Sequence, residues 1–111
     1  MKLLPQRRPI EAFGNGGFKF GDHSHRGHLL ILPSGMSAWD GADYSWVLAE
    51  QNDIDFFVIG TGKSLLRPSL AVVKQFATLQ VDTMTTSAAV HSYNLMLSEG
   101  RLVAAALIAV P

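Results

Sequence analysis

Cysteine is absent from this sequence of 111 residues. Disulfide bonds, thiolate zinc sites and cysteine nucleophiles are therefore excluded, and the chain is compatible with a reducing compartment. Charge is sparse as well, because Asp, Glu, Lys and Arg make up 16% of the residues, against roughly 25% in an average soluble protein. With so few charged residues to cover the outside, part of the surface is expected to be apolar. Such a surface suits a protein partner, and we expect one.

An excess of positive charge is also missing. Nine Lys and Arg balance nine Asp and Glu, so the formal net charge is zero. Nucleic-acid-binding surfaces need clustered basic residues to meet the phosphate backbone. We therefore expect no nucleic-acid partner.

Neither a secretory leader nor a membrane span can be recognised. Met1 to Ile10 is basic but lacks the apolar core of a signal peptide. The longest apolar run, Leu102 to Val110, reaches about half of the roughly 20 residues that cross a bilayer. We expect a cytoplasmic protein that is not integral to a membrane. With 48% apolar residues the chain can bury a continuous core, and its length predicts one domain over residues 1–111.

The first half of the chain predicts strands joined by tight turns. Apolar residues between Ile10 and Phe20 surround Gly14-Asn15-Gly16-Gly17, a run suited to the turn of a hairpin. His28 to Leu32 predicts a third strand, which Pro33-Ser34-Gly35 ends. Between Met36 and Asp53 the pattern fits an extended segment at its start and two turns of helix near its end.

The second half alternates apolar runs of two kinds. Ile54 to Ile59 loses its two-residue alternation after Asp55, as in an interior strand that is covered on both faces. The elements that follow are predicted as a helix from Pro68 to about Leu79, a strand at Val81 to Thr85, a helix from Ser87 to Gly100 and a strand at Leu102 to Val110. The sequence thus predicts an α/β fold: a single three-layer domain, with a mixed central sheet, an N-terminal hairpin and a C-terminal β-α-β-α-β unit.

Several spaced motifs resemble one family. They are Gly17-Phe18, Leu30-Ile31-Leu32-Pro33, Trp39-Asp40, Ile59-Gly60-Thr61-Gly62, Met84-Thr85-Thr86-Ser87-Ala88-Ala89, Tyr93-Asn94, and the run from Glu99 to Ile108. In this order they resemble the Mth-domain family of largely uncharacterised small proteins, which includes a mitochondrial respiratory complex I assembly factor and the adipogenesis-associated Mth-domain protein. The resemblance implies a three-layer α/β domain with a mixed sheet, and by analogy a role in maturation of a respiratory or membrane complex. Many members carry a Cys-Arg pair where this chain has Val90-His91, so a role for that pair is not carried over.

Two polar turns follow predicted parallel strands. Gly60-Thr61-Gly62 and Thr85-Thr86-Ser87 are expected to meet at one rim of the sheet, beside helix N-termini that favour an anion, with Lys63 and Arg67 adding charge. The alternative interpretation is that the glycines form turns and the hydroxyls cap a helix. Gly-Thr-Gly lacks a complete phosphate-loop or dinucleotide motif, so the capping interpretation is favoured and no cofactor is predicted.

Histidines near the predicted hairpin suggest a metal site. His23 and His25 would project from the same face of a strand, and His28 and Asp22 lie close in sequence. A zinc site needs three or four donors with supporting hydrogen bonds, so we predict no metal site here.

His91, Tyr93 and Asn94 lie on one predicted helix. A general acid or base could be built from His91 or Glu99, but eight residues of helix separate them by about 12 Å, too far to hold one small substrate together. Structural roles are favoured: Tyr93 as a core residue whose hydroxyl finds a partner, and Asn94 as a donor and acceptor for a nearby loop.

Trp39, Asp40 and Trp46 suggest a surface for a protein partner, because large aromatic side chains with little charge around them often anchor interfaces. They could equally cap the core of the sheet. Without a complete catalytic set, the first hypothesis is a non-enzymatic binding or assembly module. The second is a small-molecule or anion site at the rim formed by Gly60-Thr61-Gly62 and Thr85-Thr86-Ser87, which an enzyme could use.

Overall fold

Two sheets and two helices make up the computed structural model, which describes residues 6–66, 74–76 and 79–111. The strands are β1 (Ala12–Gly14), β2 (Gly17–Phe20), β3 (His23–Arg26), β4 (Leu29–Leu32), β5 (Gly35–Ala38), β6 (Phe56–Gly60), β7 (Gln80–Met84) and β8 (Val103–Leu107). The helices are α1 (Ser45–Glu50), which runs into a short 3-10 turn at Gln51–Asp53, and α2 (Thr86–Ser98). The predicted helix from Pro68 to Leu79 lies largely outside the described residues, as does Arg67.

The smaller sheet contains β1, β2 and β3 in that order, and both pairings are antiparallel. The predicted hairpin is confirmed: Asn15 and Gly16, with φ of 53° and 79°, form the two-residue turn between β1 and β2, as its twist requires. The polar strand β3 was not among the strands predicted from apolar runs, because its four residues carry no aliphatic side chain, although His23 and His25 were considered as one face of a strand. It pairs through its backbone with β2. Leu29–Leu32 is therefore the fourth strand and not the third.

The larger sheet is mixed, with strand order β5-β4-β8-β6-β7. β6 is parallel to both β7 and β8, whereas β4 is antiparallel to β5 and β8. The prediction of an interior strand at Ile54 to Ile59 is confirmed, since β6 has a neighbour on each side. The middle position belongs to β8, which brings the last strand of the chain into the centre of the sheet.

Two layers cover the larger sheet, one on each face. The side chains of β4, β6 and β8 alternate between them, which explains why these strands read as unbroken apolar runs. On one face α2 and the smaller sheet pack against Leu29, Ile31 and Val58. On the other, α1 and Phe76 pack against Leu30 and Phe57. The predicted three-layer α/β arrangement is confirmed.

The stretch from Met36 to Asp53 contains both of the structures that its pattern allowed. Gly35–Ala38 is extended as β5, and Ser45–Glu50 forms α1. Because Trp39 to Tyr44 separates the two, the extended and the helical signals belong to successive pieces of chain.

Helix α2 ends where the sequence predicts. Gly100 has a φ of +75°, and the N–H of Gly100 donates to Leu97 O at 3.0 Å while the N–H of Arg101 donates to Met96 O at 3.1 Å. This pair of bonds is a Schellman motif, which satisfies carbonyls at the helix end and turns the chain toward β8.

Replacing Gly100 tests this helix end. Gly100→Ala should lower the free energy of unfolding by about 1 kcal/mol, because an alanine is strained in the left-handed region. Gly100→Asn should lose less, since asparagine tolerates that region better. Urea denaturation followed by tryptophan fluorescence measures both, and equal stability of Gly100→Ala and the unaltered protein would contradict the assignment.

Candidate functional site

The two polar turns predicted to form a rim do meet. Because β6 and β7 are parallel neighbours, their carboxyl ends emerge side by side. The N–H of Thr61 donates to Met84 O at 2.9 Å, and the N–H of Thr86 donates to Gly62 O at 3.0 Å. The turn after β6 is thus tied by backbone hydrogen bonds to the chain that enters α2.

The hydroxyl of Thr86 is the centre of this rim. Thr86 is fully buried, and its Oγ1 accepts from the N–H of Gly62 at 2.9 Å and donates to Ile108 O at 2.7 Å. The N–H of Ile108 in turn donates to Gly60 O at 2.9 Å. One side chain therefore joins the start of α2 to the ends of β6 and β8.

Gly60 and Thr61 also have structural roles at this rim. A Cβ on Gly60 would lie 3.0 Å from Ala89 Cβ, Leu107 Cδ2 and Thr86 Cα, so the glycine lets α2 approach the sheet closely. The hydroxyl of Thr61 donates to Ser64 O at 2.7 Å and accepts from the N–H of Leu66 at 3.1 Å.

The remaining predicted rim residues differ in exposure. Thr85 is the N-cap of α2, and its side chain accepts from the N–H of Ala88 at 3.4 Å, as hydroxyls at helix starts commonly do. Ser87 and Lys63 are exposed beside it. Ser87 and Lys63 are thus the predicted rim residues that are exposed, whereas Thr85 is half-buried.

Tyr93 and Asn94 hold the N-terminal segment against α2. Tyr93 is buried, and its hydroxyl donates to Arg8 O at 2.7 Å. Burial raises the pKa of Tyr93, so the phenol keeps its proton. Asn94 Oδ1 accepts from the N–H of Ile10 at 2.7 Å and its Nδ2 donates to Ile10 O at 2.9 Å. His91 is exposed on the same helix.

Trp39 and Asp40 organise the loop before α1. Trp39 is 8% exposed, and its indole N–H donates to Asp43 O at 2.7 Å. Its ring centroid lies 5.6 Å from that of Tyr44. Asp40 Oδ1 accepts from the N–H groups of Ala42 and Asp43, both at 2.8 Å, and these bonds, with that of Asp43 the stronger, hold the pKa of Asp40 below its usual value.

Trp46 has a different environment from Trp39. It lies on α1 and is 51% exposed. Of the three residues suggested as a partner surface, Trp46 is the aromatic residue that is exposed.

The histidines near the smaller sheet make backbone contacts. His25 Nε2 donates to His28 O at 2.8 Å, and His28 Nδ1 accepts from the N–H of Ala109 at 2.9 Å. The ring of His23 stacks on Phe20 with centroids 5.7 Å apart. In the part of the chain that the structure describes, no group of three or more His, Asp or Glu residues is arranged to hold a metal ion.

A groove of about 380 Å³ lies against the smaller sheet. The sequence did not predict this groove, because it forms only when three strands pair, and their register was not predicted. Its walls include Ala12, Gly14, Gly17, Lys19, Ser24 and Arg26. The Gly14-Asn15-Gly16-Gly17 run was the signal, since two of its glycines leave positions on these strands without side chains.

Comparison with known proteins places this fold in a family. Residues 10–108 match the family described as "Protein of unknown function (DUF498/DUF598)". The chain belongs to the DUF498/DUF598 family. The resemblance to Mth-domain proteins is confirmed, because a Bordetella pertussis Mth938-like domain aligns with a TM-score of 0.77, over 98% of this chain and 92% of that one. At 20% identity it shows a shared fold.

Nearer relatives of this DUF498/DUF598 protein are bacterial. An uncharacterised protein of Rhodobacter capsulatus is 35% identical, over 93% of this chain and 86% of its own. The crystal structure of a Bartonella henselae protein, described as an outer membrane protein, is 42% identical with a TM-score of 0.93, over 98% of this chain and 100% of that one. The Rpa2829 protein of Rhodopseudomonas palustris is 36% identical with a TM-score of 0.84, over 100% of this chain and 90% of that one.

Thr86→Val tests the buried hydroxyl of this DUF498/DUF598 protein. Valine keeps the shape but leaves the N–H of Gly62 and the carbonyl of Ile108 without their partner, so unfolding free energy should fall by about 2 to 4 kcal/mol. Urea denaturation measures the loss. Ser87→Ala, one residue along on the exposed surface, is the matched control and should change stability by less than about 0.5 kcal/mol. Equal unfolding free energies of the two variants would show that the hydrogen bonds of the Thr86 hydroxyl do not stabilise the fold.

Asn94→Ala tests the attachment of the N-terminal segment. Without the amide the N–H of Ile10 loses its acceptor, so its hydrogen exchange should accelerate at least about tenfold, while exchange in the central strands changes little. Tyr93→Phe should destabilise the protein by about 1 kcal/mol through loss of the bond to Arg8 O. His91→Ala, exposed on the same helix, is the control. Unchanged exchange at Ile10 in Asn94→Ala would refute the attachment.

Proposed function

We propose that this DUF498/DUF598 protein is a non-enzymatic binding module that acts through a protein partner. Four of the polar side chains considered for a site are engaged within the chain: Thr61 and Thr86 at the rim, and Tyr93 and Asn94 on α2. The observation that carries the proposal is the exposure of Trp46, which is 51%, since tryptophan is among the residue types enriched in the side chains that dominate binding energy.

Rigid support strengthens the case for Trp46. Its neighbour Val47 is fully buried in the core, and the N–H of Ser45 at the start of α1 donates to Asp43 Oδ1 at 2.9 Å. Glu50, at the end of α1, accepts from the N–H and hydroxyl of Ser34 at 3.1 and 2.6 Å. An anchor that is already held in place loses less entropy on binding.

The resemblance to the mitochondrial assembly factor supports a finer proposal. We infer an assembly-factor-like role, in which the module binds a subunit of a respiratory or membrane complex during its maturation. This step is an analogy of family and fold, and it needs a test independent of the fold.

Comparing Trp46→Ala with Leu95→Ala tests whether Trp46 binds a protein partner. Leu95 lies on α2 and is 52% exposed, almost the same as Trp46. Each variant is tagged at its chromosomal locus, and co-purified proteins are quantified by mass spectrometry. We expect a protein that is depleted at least about tenfold with Trp46→Ala and retained with Leu95→Ala, as for an interface hot spot. A purified protein that turns over a metabolite, with no partner at native abundance, would contradict the proposal.

We also propose a cytoplasmic location. In the described residues no helix is long and apolar enough to cross a membrane, while the Bartonella henselae relative is described as an outer membrane protein. Fractionation of cells expressing the tagged protein distinguishes the two. Recovery in the outer membrane fraction would overturn the cytoplasmic assignment.

A second candidate is an anion site at the rim beside Thr85 and Ser87. Helix α2 has no acidic residue in its first turn to offset its dipole, and Lys63 is exposed near its start. A thermal-shift screen of phosphate and phosphorylated metabolites should then raise the melting temperature, and Lys63→Gln or Ser87→Ala should remove the rise. No stabilisation by any anion, or stabilisation that survives both changes, would eliminate this candidate.

A further inference from the structure

The outward face of the smaller sheet carries two basic residues, Lys19 and Arg26, on neighbouring strands. The pairing places Lys19 directly opposite Ser24, and Gly17 directly opposite Arg26. Phe18 and Phe20, which alternate with them on β2, are buried in the core. Lys19 and Arg26 are therefore diagonal neighbours on the same face, with backbones about 7 to 8 Å apart, and both are exposed.

Glycines make the space beside Arg26 hollow. Gly17 lies across from Arg26, and Gly14 lies across from Gly17 on β1. Neither glycine has a side chain to fill the space across the three strands at this position. The groove of about 380 Å³ therefore runs over Gly14 and Gly17. Arg26 Nη1 would lie 3.9 Å from a Cβ on Gly16, which places the guanidinium over the turn between β1 and β2. The groove is thus a trough with a bare backbone floor and a cation at its end.

The positive charge on this face is not neutralised by the protein itself. Across residues 6–66, 74–76 and 79–111, no carboxylate forms an ion pair with Lys19 or Arg26. The acid nearest in sequence to β1, Glu11, instead accepts from the N–H of Gly21 at 2.8 Å through its Oε2. Two donors of full positive charge and the hydroxyl of Ser24 remain available to a ligand.

We propose that this trough binds a small molecule that carries a phosphate monoester, with the phosphate between Lys19 and Arg26. A phosphate monoester has a charge of about −1.5 to −2 at neutral pH, which matches the two cations. The guanidinium pairs with phosphate oxygens through two parallel N–H bonds, while the ammonium acts as a point charge. The volume of the groove falls within the roughly 300 to 1,000 Å³ of small-molecule sites, and the organic part of the ligand lies on the floor formed by Gly14 and Gly17.

This site is independent of the protein-binding role assigned to Trp46. It is also separate from the rim candidate, which involves Lys63 and the start of α2. Each of the three can fail without the others, because they use different residues on different elements.

Titration with phenyl phosphate, followed by amide chemical shifts in NMR, tests the site. We expect shift changes confined to residues of β1, β2, β3 and the Asn15-Gly16 turn, and weaker binding when the ionic strength rises from about 0.02 to about 0.3 M. Inorganic phosphate should bind at the same residues but more weakly, since it lacks the part that covers the glycine floor. Changes at the start of α2 alone would place the anion at the rim and overturn the proposal.

Charge-removing variants complete the test. Lys19→Gln and Arg26→Gln should each weaken phenyl phosphate binding about fivefold, as expected for exposed ion pairs, while Lys63→Gln should leave it unchanged. All three side chains are exposed, and unaltered spectra away from the substitution verify the fold. Equal affinity of Lys19→Gln, Arg26→Gln and the unaltered protein would refute the site. So would equal binding of phenyl phosphate and the uncharged phenol.

Discussion

The hydroxyl of Thr86 ties together the chain segments on which this fold depends. It accepts a hydrogen bond from Gly62 and donates one to Ile108, and so links the ends of β6 and β8 to the first residue of α2. These two strands lie in the interior of the larger sheet, and α2 covers one of its faces. A buried polar group is costly unless both its donor and its acceptor are satisfied. Here one threonine satisfies two backbone groups that would otherwise be left unpaired where the strands end.

That arrangement divides the molecule into polar groups that maintain the fold and groups that face solvent. The rim turns and the Tyr93-Asn94 pair, both suggested as functional, are bonded to other parts of the chain. The exposed features include one tryptophan on α1 and a basic trough on the small sheet. Both occur in a chain with few charges, so these surfaces contrast with their surroundings.

Much of the architecture could be predicted because its causes are local. Turn residues at Asn15-Gly16 and Gly100 require positive φ, and the apolar runs at Ile54 to Ile59 and Leu102 to Val110 indicate burial on both faces. The apolar pattern did not indicate β3, because its residues are polar, and its place in the sheet comes from backbone pairing with β2. The groove depends on that strand, so it could not be predicted either. Trp39 and Trp46 looked alike in sequence, yet one is buried and the other exposed, because the loop after β5 turns the first of them inward.

The sequence by itself determined the fold class, the positions of most strands, the end of α2 and the family, since all of these follow from local periodicity, turn chemistry and spaced motifs. Only the tertiary structure decided what the polar residues do. Whether a hydroxyl caps a helix, binds a ligand or joins two strands depends on atoms far away in the chain. Thr86 meets Ile108, Asn94 meets Ile10, and Lys19 lies beside Arg26 without a carboxylate, because strand pairing brings together residues whose separation in sequence carries no signal of their contact.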